Sequence, residues 1–163
     1  MAKSKEEKTN VMRVLEQKKI AYTAHTYPHE EGVAVDGVTV AQSMGFDPAI
    51  VFKTLVARGA SKQYYVFDVP VAENLDLKKA AKAVGEKSIE MIHQKELLPL
   101  TGYVHGGCSP VGMKKLFPTV FHSSAENLAA MIISAGKIGY QVELAPHDLA
   151  ALVRAKFADI IAE

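Results

Sequence analysis

The chain has 163 residues, 48% of them hydrophobic and 23% charged, with a formal net charge of +1. That length suits a single domain over 1–163 with its own core, and the composition excludes a disordered chain. The near-neutral charge excludes a strongly basic nucleic-acid coat protein while leaving room for local contact with a phosphate backbone.

Residues 1–10 read as a flexible or helical extension. Ser4 followed by Glu7 fits a capping box. Val11, Val14, Leu15 and Lys18 then share a helical face, so a helix ending near Lys19 is expected. Ile20 to Tyr27 alternates and is β-prone, and Pro28 stops it. Thr39 to Met44 reads as a short helix closed by Gly45, and Asp47-Pro48 as a second helix start. Phe52 to Arg58 and Tyr64 to Val71 read as a strand pair joined by a hairpin loop. Asp76 to Val84 is a capped amphipathic helix ending at Gly85. Ser88 to Ile92 is a candidate strand and Gln94 to Leu98 a helical turn. Tyr103-Val104, Thr119 to His122 and Met131 to Ser134 are β-like. Gly136-Lys137 turns the chain into Ile138 to Leu144, and His147 to Lys156 closes it as a helix. Irregular alternation with adjacent hairpins favours a mixed α+β domain over a doubly wound parallel sheet.

No apolar run approaches the ~20 residues of a membrane helix. The polar start, Met1 to Lys8, lacks the apolar stretch of a secretion signal, so a cytoplasmic protein without membrane contact is expected. The single cysteine, Cys108, forbids an intramolecular disulfide and a CxxC metal site. Charge is uneven: Lys3 to Lys19 holds six basic against three acidic residues, and Lys78 to Lys95 five against two. Both stripes suit solvated helix faces or a phosphate backbone, and spacing does not decide between them.

The informative segment is Ile50-Val-Phe-Lys-Thr-Leu-Val-Ala57. On a strand, Val51, Lys53, Leu55 and Ala57 share one face and Phe52, Thr54 and Val56 the other. Both faces are apolar, so a lysine is out of place there. Either it reaches solvent along its stem, or it lines a cavity that accepts its charge, suited to a phosphate, a carboxylate or a polarised carbonyl. A second feature is Gly102-Tyr-Val-His-Gly-Gly-Cys-Ser-Pro-Val-Gly112, with four glycines and a proline in eleven residues. It reads as a structural turn or as a loop whose Gly106-Gly107 backbone approaches a ligand oxygen. It is neither a P-loop nor a dinucleotide fingerprint. Cys108 is a candidate thiol nucleophile without a positioned base, and the six histidines show no metal-binding spacing. No metal and no cofactor are expected.

Five segments occur in order: Val51-Phe-Lys-Thr-Leu55; Val69-Pro-Val-Ala72 with Leu75-Asp-Leu-Lys-Lys79; Gly106-Gly-Cys-Ser-Pro-Val-Gly112; Ser134-Ala-Gly-Lys137; and Ala155-Lys-Phe-Ala-Asp159. Together they resemble the YbaK/EbsC family of Cys-tRNA(Pro) deacylases, relatives of the editing domain inserted in bacterial prolyl-tRNA synthetase. The resemblance runs from about Val11 to Asp159. It implies an α+β domain with a curved, barrel-like, mostly antiparallel sheet flanked by helices around a small pocket. It implies removal of cysteine from Cys-tRNA(Pro), and from Cys-tRNA(Cys) in a broader specificity, by attack of the substrate's own thiol. By the same analogy Lys53, Gly106 and Tyr27 are the catalytic positions, and Thr54, Gly107, Ser134, Gly136 and Gln141 bind substrate. Gln141, in Gly139-Tyr-Gln-Val-Glu-Leu144, stands where many members carry aspartate, and Ala135 where glycine is frequent. The implied partners are the acceptor end of an aminoacyl-tRNA and prolyl-tRNA synthetase. Two other readings share these residues: a deacylase of the Ala-tRNA(Pro) type, and a non-catalytic module that binds aminoacyl-tRNA or a synthetase.

Overall fold

The computed structural model describes residues 8–163, and the Ser4–Glu7 cap lies outside them. The first helix, α1 (Asn10–Gln17), is instead capped by Thr9, whose side chain accepts from the Met12 N–H at 3.2 Å. Its buried face is Val11, Met12 and Leu15, with Val14 at the margin. Lys18, expected on that face, is exposed and ends the helix.

Two sheets form. One has the order β1 (Thr23–Thr26), β7 (Tyr140–Leu144), β6 (Met131–Ser134), antiparallel throughout. The other has the order β4 (Ile89–Met91), β2 (Phe52–Gly59), β3 (Tyr64–Pro70), β5 (Thr119–His122), β8 (Lys156–Ala158). In it β4, β2 and β3 are antiparallel, whereas β5 and β8 join in parallel. A parallel bridge between Val51 and Ile132 ties the sheets together. The result is the expected mixed α+β architecture with mostly antiparallel pairing, in two joined sheets rather than a closed barrel. The β2–β3 hairpin is long because its register, from Phe52↔Pro70 to Arg58↔Tyr64, places apolar side chains on both faces.

Local signals account for most helices. Asp36 caps α2 (Gly37–Met44), and Gly45 ends it in the left-handed region at φ 78°. Asp76 caps α3 (Leu77–Val84) by accepting from the Lys78 and Lys79 N–H groups. Asp47 caps a 3-10 turn over Pro48–Ile50. The helical turn expected at Gln94 to Leu98 extends as α4 (Gln94–Thr101) through Pro99, with the Glu96 side chain accepting from the His93 N–H at 2.9 Å.

Two expectations are corrected. Tyr103-Val104 is not a strand: Tyr103 is buried, and its hydroxyl donates to the Val111 carbonyl across the glycine-rich loop. The last helix, α5 (Pro146–Val153), stops before Lys156, because Arg154 turns left-handed at φ 58°. The chain after it pairs with β5 as β8, with Phe157 beside Phe121. A 3-10 turn over Ser123–Asn127 had no sequence signal. In the basic segment from Lys78, Lys79 is tied up: its ammonium lies 3.2 Å from Asp159 and 2.9 Å from the Ile161 carbonyl.

The core is divided by β2. Phe52 and Val56 pack with α1, β6 and β7, whereas Leu55 and Ala57 pack toward α3. Val51 joins a third cluster with Ala41, Val71 and Ile132 beneath α2. The strand is thus covered on both faces, as its apolar pattern requires. Lys53 falls between Val51 and Leu55, where two clusters meet.

Candidate functional site

That junction opens into a cavity of about 270 Å³, lined by Lys53 and Thr54 of β2, Tyr27 after β1, Ser134 and Gln141 of β6 and β7, and Gly106 and Cys108 of the glycine-rich loop. Valines 35, 40, 51 and 71, with Leu55 and Leu97, supply an apolar wall. This volume is just below the ~300–1,000 Å³ typical of ligand pockets, so it suits a small acyl group rather than a whole nucleotide. Six of the eight site positions expected from the resemblance therefore meet in one pocket.

Each is placed by its element. Ser134 and Gln141 are register partners, and Gln141 also pairs with His25, so the three-stranded sheet aligns them in a row. Gln141 is buried, and its Oε1 has no hydrogen-bond partner among the described residues. Ser134 Oγ accepts from the Gly136 N–H at 3.0 Å. Tyr27 is buried, and burial pushes its phenol above the ordinary value. Lys53 is half-buried, with no ion-pair partner within 4 Å among the described residues. Burial holds its pKa below the usual lysine range, opposed by the charge of Glu73. The Thr54 hydroxyl donates to Asp68 Oδ1 at 2.5 Å.

Two glycines of the site need to be glycine. Gly106 has φ 89°, and a Cβ there would sit 2.7 Å from the Ala34 side chain. Gly136 has φ 92°, and its Cβ would meet the Tyr103 ring at 2.9 Å and Val11 at 3.0 Å. A left-handed backbone disfavours a side chain, and contacts this short leave no room for one. Gly136 and Gly107, however, do not line the cavity. The Gly107 N–H donates to the Val104 carbonyl at 2.9 Å and is already committed to the turn. The Gly106 N–H has no such bond among the described residues and is available to a ligand oxygen. Ala135, at the position where glycine is frequent in the family, packs in the core.

Three residues escaped the sequence reading. His105 and Asp36, both exposed, also line the cavity. Asp68 lies behind Thr54, wholly buried. The signal was available: a lone carboxylate in Tyr64-Tyr-Val-Phe-Asp-Val-Pro70 is as anomalous as Lys53 in its own strand.

Cys108 is buried, and burial, with the nearby Asp68, pushes its thiol up to about 12. A thiol held protonated is a poor nucleophile. Iodoacetamide at pH 8 is therefore expected to leave Cys108 unmodified in the folded protein and to label it fully in denaturant, as read by mass spectrometry. Rapid labelling of the folded chain would restore it as a candidate nucleophile. Among the described residues no group of three His, Cys, Asp or Glu side chains is placed to hold a metal ion, and no helix is long and apolar enough to cross a membrane.

A two-sheet α+β fold around a small pocket, lined by a half-buried lysine, a loop N–H without a backbone partner and the unpartnered Gln141 Oε1 among the described residues, defines a domain that binds a small polar ligand group. Residues 32–152 match the family model described as the aminoacyl-tRNA editing domain, and the chain belongs to that family. It is 45% identical over 161 residues, 98% of each chain, to EbsC of Enterococcus faecalis, a protein named as a candidate Cys-tRNA(Pro)/Cys-tRNA(Cys) deacylase. A solved structure named as a candidate trans-editing enzyme for prolyl-tRNA synthetase superposes with a TM-score of 0.81 at 25% identity, over 94% of this chain and 95% of the other. A hypothetical protein of known structure, at 18% identity and TM-score 0.82 over 93% of this chain and 99% of the other, shares the fold.

Proposed function

We propose that this protein is a trans-editing deacylase that removes cysteine from Cys-tRNA(Pro) and from Cys-tRNA(Cys), acting in the cytoplasm. The observation that carries the reading is the convergence of Lys53, Gly106 and Gln141 on one small pocket, in a chain nearly half identical to a relative named for that activity. The pocket volume supports an acyl group of cysteine's size.

The reaction needs little from the protein. The ester joining cysteine to the terminal ribose is already activated. The substrate thiol gives up its proton to solvent, its sulfur bonds to the ester carbonyl carbon, and the carbonyl oxygen becomes an oxyanion. Collapse breaks the bond to the ribose oxygen, which takes a proton, and cysteine leaves as a cyclic thiolactone that water opens. Intramolecular attack gains several kcal/mol from enforced proximity, of the order known for oriented reactants. The Gly106 N–H faces the oxyanion, a role worth about 3 kcal/mol for a well-placed donor. Lys53 anchors the ribose or phosphate of the terminal adenosine, because an ammonium is a better anchor than a proton acceptor. Tyr27, Thr54 and Ser134 shape the acyl pocket, and Gln141 accepts from the substrate ammonium. Gly107 and Gly136 support the two loops from behind.

Net charge near zero leaves phosphate contacts too few to select one tRNA, so prolyl-tRNA synthetase is the partner that delivers tRNA(Pro). The test is a deacylation panel across Cys-tRNA(Pro), Cys-tRNA(Cys), Ala-tRNA(Pro) and Pro-tRNA(Pro). Rapid loss of cysteine from both tRNAs, with alanine and proline retained, is the expected pattern. Equal loss of alanine would replace thiol attack by water attack, and no turnover with retained tRNA binding would make the protein a binding module.

A further inference from the structure

The geometry points to Asp68 as a positioning residue that fixes the Thr54 hydroxyl as a hydrogen-bond acceptor toward the pocket, and so selects an acyl side chain carrying a polar donor over an apolar one of equal size. This deepens the reading of the pocket as an aminoacyl-ester site and rests on it.

Asp68 stands directly opposite Thr54 in the β2–β3 register. Above about pH 7 the Asp68 carboxyl is ionised and can only accept, so the single proton of the Thr54 hydroxyl is spent on Asp68 Oδ1 at 2.5 Å, a length typical of a charge-assisted bond to a carboxylate. Only the hydroxyl's lone pairs then remain for a ligand. Thr54 lines the cavity and Asp68 does not, so the carboxylate acts on a ligand through Thr54. Nothing else in the described residues uses it: Asp68 is 0% exposed, and its Oδ2 has no partner. A carboxyl buried half-satisfied in an apolar strand is costly to the fold, which leaves its hold on Thr54 as its use. Cys108, the titratable group beside it in the cavity wall, stays protonated and adds no competing charge. A thiol in the pocket can donate to the oriented Thr54 oxygen. A methyl in the same place leaves that oxygen desolvated and unpaired, a loss that sites built around a polar partner convert into discrimination.

Non-hydrolysable 3′-amide analogues of aminoacyl-adenosine test this in the full chain by equilibrium binding at pH 8, where Asp68 is ionised. Cysteinyl and 2-aminobutyryl groups are compared, because they match in size and differ in the donor. Wild type is expected to favour the cysteinyl analogue by about tenfold or more. Asp68→Val frees the Thr54 proton to turn outward and is expected to bring that preference to within about threefold, with aminobutyryl affinity unchanged. Constant aminobutyryl affinity separates lost positioning from a deformed pocket; Asp68→Leu carries the same comparison if the valine variant does not fold. Equal affinities in wild type, or a preference that survives in the variant, would overturn the assignment. A kept preference in a protein with no turnover would sink the deacylase reading alone, and turnover without preference would sink only this one.

Discussion

Replacing Lys53 by alanine is expected to lower single-turnover deacylation of Cys-tRNA(Pro), under subsaturating enzyme, by about a hundredfold, the scale set by loss of a pre-oriented charged contact. Lys53 lines the cavity between Val51 and Leu55. It is half-buried and has no ion-pair partner within 4 Å among the described residues, so its charge is available to a ligand. If it anchors the terminal ribose or phosphate, most of the loss should appear in kcat/KM and little in the rate at saturation. The fold should not suffer, because a half-buried ammonium costs desolvation that alanine does not. An unchanged or raised Tm alongside the rate loss would mark Lys53 as a residue kept for ligand binding. A wild-type rate in the variant would remove Lys53 from the mechanism. Lys53→Arg is no conservative control, since a planar guanidinium presents its donors in a fixed fork where the ammonium is a compact point charge.

The second large effect concerns stability and pH. Burial pushes the Asp68 carboxyl up to about 7, with the Thr54 hydrogen bond acting the other way. In the unfolded chain an aspartate titrates near ~3.9. Between these values the folded state holds a proton that the unfolded state has lost, so stability falls as pH rises. The contribution is intact below about pH 4 and gone above about pH 7. A shift of about three units corresponds to about 4 kcal/mol. Asp68→Val removes this dependence. Its Tm is expected to exceed that of wild type at pH 8 by on the order of 10 °C, and the gap to shrink toward pH 4. Thermal unfolding of both chains from pH 4 to 8 reads this difference, in which the other carboxylates cancel. A gap that stays constant with pH, or a less stable variant at pH 8, would mean that the carboxyl is ionised in the fold at little cost.

These two side chains show how far local reading reaches. The Lys53 anomaly is visible in eight residues, because a charge at the centre of an apolar strand has few cheap explanations. The same reasoning applied to Tyr64 to Pro70 would have found Asp68. What it cannot supply is the partner: that Asp68 faces Thr54 depends on the hairpin register. Gly107 makes the converse point. A glycine pair suggests two free N–H groups, yet one of them closes a turn onto Val104.

The amino-acid order alone determined the caps at Asp47 and Asp76, the stops at Gly45 and Gly85, the β2–β3 hairpin and the mixed α+β class. Each of these is settled by short-range hydrogen bonding, backbone sterics or side-chain periodicity within a few residues. Tertiary structure decided the rest: the left-handed Arg154 that frees Lys156–Ala158 to pair with β5, the burial of Tyr103 beneath its loop, and the meeting of Lys53, Gly106 and Gln141 around one cavity. Those outcomes depend on contacts between segments tens of residues apart, where pairing and burial outweigh local preference.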